Sequence, residues 1–204
     1  MTMQTKTIQA TFGALVLMLL STTALASNYS GQRGVPTILD KLVATDGAQA
    51  LVAAVLVVDS AGALPFSLAE LLGDKREEVV LLAPTNTAFE NLLGLEAGTL
   101  DGLTIDEIEG GLPALLPPGV GVEEVAAILL KHAALPRKAN RFTASERALL
   151  AKGEIEVADE SVFPVSVGNA GVRINYETSI IEPNLFVRNG VIHFIDTVIT
   201  DSQD

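Results

Sequence analysis

Few side chains in this 204-residue chain could run a reaction. There is no cysteine, which removes thiol nucleophiles, disulfides and metal thiolates. There are two histidines, His132 and His193, and imidazole is the side chain most suited to acid–base work near neutrality. His193 and Asp196 lie in Val191-Ile192-His193-Phe194-Ile195-Asp196-Thr197-Val198-Ile199, where alternate residues on both sides are mostly apolar. A strand of that kind is covered on both faces. His193 therefore reads as a hydrogen-bonded core residue, and Asp196 as a carboxylate held by backbone or hydroxyl donors. His132 falls near the end of an expected helix, where the helix dipole favours its charged form. A structural role is read for it too.

Asp106, Glu107 and Glu109 come nearest to a paired-carboxylate site, and a hydrolase would use Asp106 and Glu109. On a short helix they spread over the surface, and no D-x-D-x-D-G calcium loop is present. Ser67, Ser145 and Ser166 lack the G-x-S-x-G context of an activated serine. No glycine-rich phosphate loop joins a strand to a helix. Arg137, Lys138 and Arg141 form a basic cluster, and with Lys131 and His132 they make a candidate partner-contact patch. No catalytic, cofactor or metal site is assigned, and the expectation is a protein that is not an enzyme and needs no cofactor.

The elements that must position these residues are legible in period and punctuation. A helix beginning at Pro36 places Ile38, Leu39, Leu42 and Val43 on one face. Ala48 to Asp59 is apolar nearly all round, so it reads as a buried helix. Four Ser/Thr-x-x-Glu capping boxes follow, at Ser67, Thr87, Thr104 and Thr143. At the second, Thr85 or Asn86 is equally acceptable as the true cap. Glu78 to Pro84 is a short apolar run ended by proline, the pattern of a buried strand. Gly94 to Gly121 reads as a long loop carrying one short helix, Ile105 to Glu109. Val122 to Leu135 reads as a helix stopped by Pro136. After Gly153 the period changes to two, with short strands up to a final hairpin whose turn is set at Asn189-Gly190. Helices first and a β meander last predict an α+β fold.

Residues 1–26 have the form of a signal peptide: Lys6, the apolar run Phe12 to Leu20, and Ala24-Leu25-Ala26 as a cleavage site. Residues 27–35 read as a flexible lead-in, and residues 36–204 as a single domain. The leader carries one lysine and no acid, so the mature chain has 25 acidic against 12 basic side chains, a net charge of −13. That balance disfavours nucleic acid and anionic membranes as partners. After cleavage near Ala26 the protein is expected to be secreted or periplasmic, with no integral membrane segment.

Two stretches resemble the signatures of fasciclin domains. Val79-Val80-Leu81-Leu82-Ala83-Pro84-Thr85-Asn86-Thr87-Ala88-Phe89 is similar to a strand running into APTN-x-AF, and Asn189-Gly190-Val191-Ile192-His193-Phe194-Ile195-Asp196-Thr197-Val198 to NGVIHVID-x-V. Leu129-Leu130-Lys131-His132 lies where the family has a helix ending in Tyr-His, with Lys131 in the place of the tyrosine. The resemblance spans about Pro36 to Asp201. It implies a wedge of two β-sheets flanked by several short helices, with the two signature strands paired centrally. Pro84, Thr85, Asn86, Phe89, Asn189, Gly190, His193 and Asp196 are then signature residues with structural roles.

The resemblance also implies an extracytoplasmic adhesion domain that binds a cell-surface or matrix protein or glycan. The competing expectation is an extracytoplasmic carrier or sensor of a small apolar ligand, seated between the helices and the sheet.

Overall fold

Two strands from opposite ends of the domain run parallel at its centre. β1 (Val79–Pro84) and β7 (Gly190–Ile195) pair from Val79↔Gly190 to Pro84↔Ile195, and every residue of both is buried. The computed structural model of the chain describes residues 34–135, 146–168 and 171–200, with only the backbone of Glu146 and Arg147.

Around this pair the chain forms α1 (Ile38–Val43), α2 (Gln49–Ala61), α3 (Leu68–Gly73), α4 (Asn86–Leu93), α5 (Ile105–Leu115), α6 (Val122–Leu130) and α7 (Glu146–Lys152). The remaining strands are β2 (Ala133–Ala134), β3 (Glu154–Glu156), β4 (Val162–Gly168), β5 (Gly171–Ile174) and β6 (Thr178–Val187). Seven strands run in the order β2-β1-β7-β6-β5-β4-β3, so the two expected sheets are the arms of one continuous, nearly closed sheet. The outer strands approach each other just past β3, where Ala158 N donates to Ala133 O at 2.7 Å.

Alternation along β1 and β7 divides the core. Val79, Leu81, Ala83, Ile192, Phe194 and Val198 join the cluster that contains α1, α2, α4, α5 and α6 residues. Val80, Leu82, Val191, Ile195 and Ile199 join Phe163, Val165, Val172, Ile174 and Leu149 from the meander and α7. The helix face and the meander face are thus separate packed layers, as expected of a strand apolar on both sides. α2 is buried almost all round, from Ala50 to Val58.

Three expected elements change. α6 ends at Leu130 rather than Leu135, because Ala133 and Ala134 leave the helix to pair with Leu81 and Val80. α5 extends to Leu115 through Gly110, Gly111 and Pro113, anchored by buried Ile108 and Leu112. Packing of an apolar stripe here outweighs poor propensity. The final hairpin pairs Val187 with Gly190, so its two-residue turn is Arg188-Asn189, and neither has positive φ. Gly190 is required for another reason: a Cβ there would overlap the carbonyl oxygen of Val79 across the central pair.

Candidate functional site

The expected contact patch is built at the end of α6, and the structure divides its members. Lys131 caps the helix and stays partly exposed, 3.8 Å from Asp159 Oδ2 in an ion pair that no local pattern foretells. His132, the next residue, is turned into the core at 1 % exposure. Its Nδ1 lies 2.7 Å from the carbonyl oxygen of Ile128, and Ile199 N donates to Nε2 at 3.0 Å. One ring nitrogen must donate and the other accept, which is the neutral tautomer.

Burial is the main force that lowers the His132 pKa to about 4. The charge of Lys131 acts in the same direction, and the Ile128 carbonyl opposes both. The expected charged histidine at a helix end is therefore corrected: desolvation outweighs the helix dipole. The ring offers no surface to a partner, which removes His132 from the contact patch. Arg137, Lys138 and Arg141 lie outside the described residues.

The two signature asparagines hold helix ends that belong to other segments. α2 has Ala48 at its N-cap and no side-chain cap of its own. Asn86 supplies one from a distance, its Oδ1 accepting from Ala50 N at 3.0 Å and its Nδ2 donating to Gln49 Oε1 at 3.0 Å. Thr85 caps α4 itself, accepting from Ala88 N. Thr87 has no such role, and its expected partner Glu90 is buried instead, accepting from Gly98 N and Leu100 N at 2.9 and 2.7 Å. Asn189 Oδ1 accepts from Ile38 N at 2.8 Å, and its Nδ2 donates to Leu72 O and Asp74 O at 2.9 and 3.0 Å. It thereby joins the start of α1 to the end of α3. Pro84 ends β1, and Phe89 is buried in the helix-face core.

His193 is fully buried opposite an irregularity in β6. Glu182 pairs with Phe194 and Leu185 with Ile192, so Pro183 and Asn184 together face His193. Such a bulge removes a backbone N–H from the ladder. Asn184, at φ 62°, donates its N–H to His193 Nδ1 at 3.3 Å. Asp196 Oδ1 accepts from Ser179 N at 2.8 Å and from Thr197 Oγ1 at 3.1 Å, closing the other end of the same strand pair.

The acidic trio is divided as well. Glu107 completes a capping box with Thr104, and the Thr104 backbone N–H, then its hydroxyl, hold the carboxyl below its ordinary value. Partial burial, with Asp106 beside it, raises the Glu109 carboxyl. Asp106 itself is exposed.

The fasciclin-domain family model matches residues 62–201, more than half of the chain. This chain belongs to the fasciclin family. No curated protein sequence matches it. Among solved structures it is similar to a FAS1 domain pair from the insect cell adhesion molecule fasciclin I. The TM-score is 0.57 at 15 % identity, covering 81 % of this chain and 51 % of that one, so the chain spans about half the length of that structure.

Fasciclin domains are associated with cell adhesion, are typically extracellular and generally bind cell-surface or matrix partners. No helix among the described residues of this fasciclin domain is long and apolar enough to cross a membrane. Its meander carries exposed large apolar side chains: Val162, Val167, Tyr176, Ile181 and Phe186. The signal available was local, namely apolar residues at the ends of strands and beside the Pro183 break.

Proposed function

We propose that this fasciclin domain is an exported, non-enzymatic adhesion module that binds a surface or matrix protein or glycan. The observation that carries the reading is the family match across residues 62–201. The leader-like residues 1–26 support export.

The commitment of the side chains to structure supports a binding role over a catalytic one. Both histidines are buried and bonded to backbone N–H groups, and Glu107 is engaged in a cap. Binding would engage Lys131 with the basic run Arg137, Lys138 and Arg141, as electrostatic steering by a local cationic patch on an acidic protein. The exposed apolar side chains of β4–β6 offer a second contact surface.

The test is binding of the purified chain 27–204 to intact cells of its source and to their extracellular matrix. Saturable binding that unlabelled protein competes away is expected. Charge reversal at Arg137, Lys138 and Arg141 together is expected to weaken it more than tenfold, with an unchanged melting temperature. Binding no better than that of an acidic control protein would overturn the adhesion reading.

A further inference from the structure

Asn189-Gly190 is the one Asn-Gly pair in the chain. Asparagine is a thermolabile residue, and a following glycine speeds its loss because no side chain hinders attack by the next backbone nitrogen. Neither residue is easily exchanged here. Glycine is imposed by the carbonyl of Val79, which leaves no room for a Cβ. Asparagine is imposed by three hydrogen bonds that need one acceptor and two donor hydrogens on the same side chain. The fold therefore places its most labile dipeptide at the junction of α1, α3 and the central pair.

We infer that Asn189 is a conformation-gated deamidation site, protected in the folded chain and lost irreversibly in chains that open. In the reaction Gly190 N attacks Asn189 Cγ, forming the N–C bond of a five-membered succinimide. The Cγ–Nδ2 bond breaks, and Nδ2 leaves as ammonia with the proton from the Gly190 nitrogen. Water then opens the ring, yielding aspartate or isoaspartate; no redox partner is needed.

In the folded protein Asn189 is 1 % exposed, and its side-chain oxygen and both amide hydrogens are engaged by Ile38, Leu72 and Asp74. Its own carbonyl accepts from Val79 N at 3.0 Å, which ties the turn's backbone to β1. Once the product forms, the clamp cannot re-form. An aspartate would set a carboxylate oxygen against the carbonyl oxygens of Leu72 and Asp74, where two donor hydrogens were. An isoaspartate would add a methylene to the backbone of a two-residue turn. Opened chains would thus be marked and excluded from refolding, whatever the domain binds.

The experiment incubates the full chain at mildly alkaline pH, native in one arm and in denaturant in the other, and follows the peptide containing residue 189 by mass spectrometry. Asn86, equally buried and followed by threonine, is the internal reference. We expect residue 189 to deamidate at least about a hundredfold faster in denaturant than in the native arm, and faster than Asn86 in denaturant. Asn189→Asp, the aspartate product, should melt at a lower temperature than the parent or fail to fold. Equal rates in the two arms, no preference over Asn86 in denaturant, or an unchanged melting temperature for Asn189→Asp would each overturn the inference.

Discussion

The two faces of the β1–β7 pair are held by different chemistry. On the helix face, two amides lock segments distant in sequence: Asn86 caps α2 and Asn189 joins α1 to α3. Behind the meander, an imidazole ties the end of α6 to Ile199, a residue of the meander-side core. Amides do not titrate and imidazoles do. The helix face adds carboxylates to its amides, Glu90 among them, while the meander side adds the His132 imidazole; both rest on similar apolar packing.

The largest effect should come where both faces depend on one residue. Gly190→Ala forces the central pair apart at Val79, and a loss of more than about 4 kcal/mol is expected. Thermal melting should show no cooperative native state, and a normal melt would deny that close approach. Phe163→Ala, wholly within the meander core, should cost roughly 3–5 kcal/mol in denaturant unfolding. A loss below about 1 kcal/mol would mean that this face is loosely packed and the comparison unequal.

Acid should weaken the meander side through His132. Above pH 6.5 His132 is neutral in both folded and unfolded chains, and its full contribution is present. As pH falls below 6.5 the unfolded chain takes up a proton that the folded chain refuses until about pH 4. Stability from this group therefore drops across that window, by ~3 kcal/mol at most. Urea unfolding as a function of pH should show the drop, and His132→Gln should flatten it. An unaltered slope in that variant would assign the acid sensitivity elsewhere.

Asn86→Ala and His193→Ala each leave a backbone N–H without its side-chain partner and should cost roughly 1–3 kcal/mol. An unchanged melting temperature for His193→Ala would reopen a functional role for that ring. Val167→Ser, at 75 % exposure, should change stability by less than about 0.5 kcal/mol. A larger loss would show that Val167 belongs to the meander core rather than its surface.

Which features could be foreseen follows from how local their causes are. The two-sided burial of β7, the apolar run of β1 and the cap at Thr104 depend on neighbours in sequence, and all were legible there. The fasciclin signatures pointed to the fold and the central pairing. Asn86 and Asn189 were visible as signature residues, but their partners Ala50, Ile38 and Leu72 are set by tertiary contact, which no local pattern encodes. His132 misled for the same reason: helix-end electrostatics is a local rule, and burial by the C-terminal segment overrode it. The turn position was missed because Asn-Gly is a strong hairpin signal, while here the glycine answers to Val79 and the asparagine to two helices.

The parallel pairing of β1 with β7 also constrains when the molecule can exist. Val79 meets Gly190 with most of the domain's length between them, so β1 has only the two-residue strand β2 to pair with until β7 has been made. Loop closure on that scale is slow. A chain emerging from the ribosome would hold one apolar edge of β1 unpaired until then, which exposes it to aggregation and to chaperone capture.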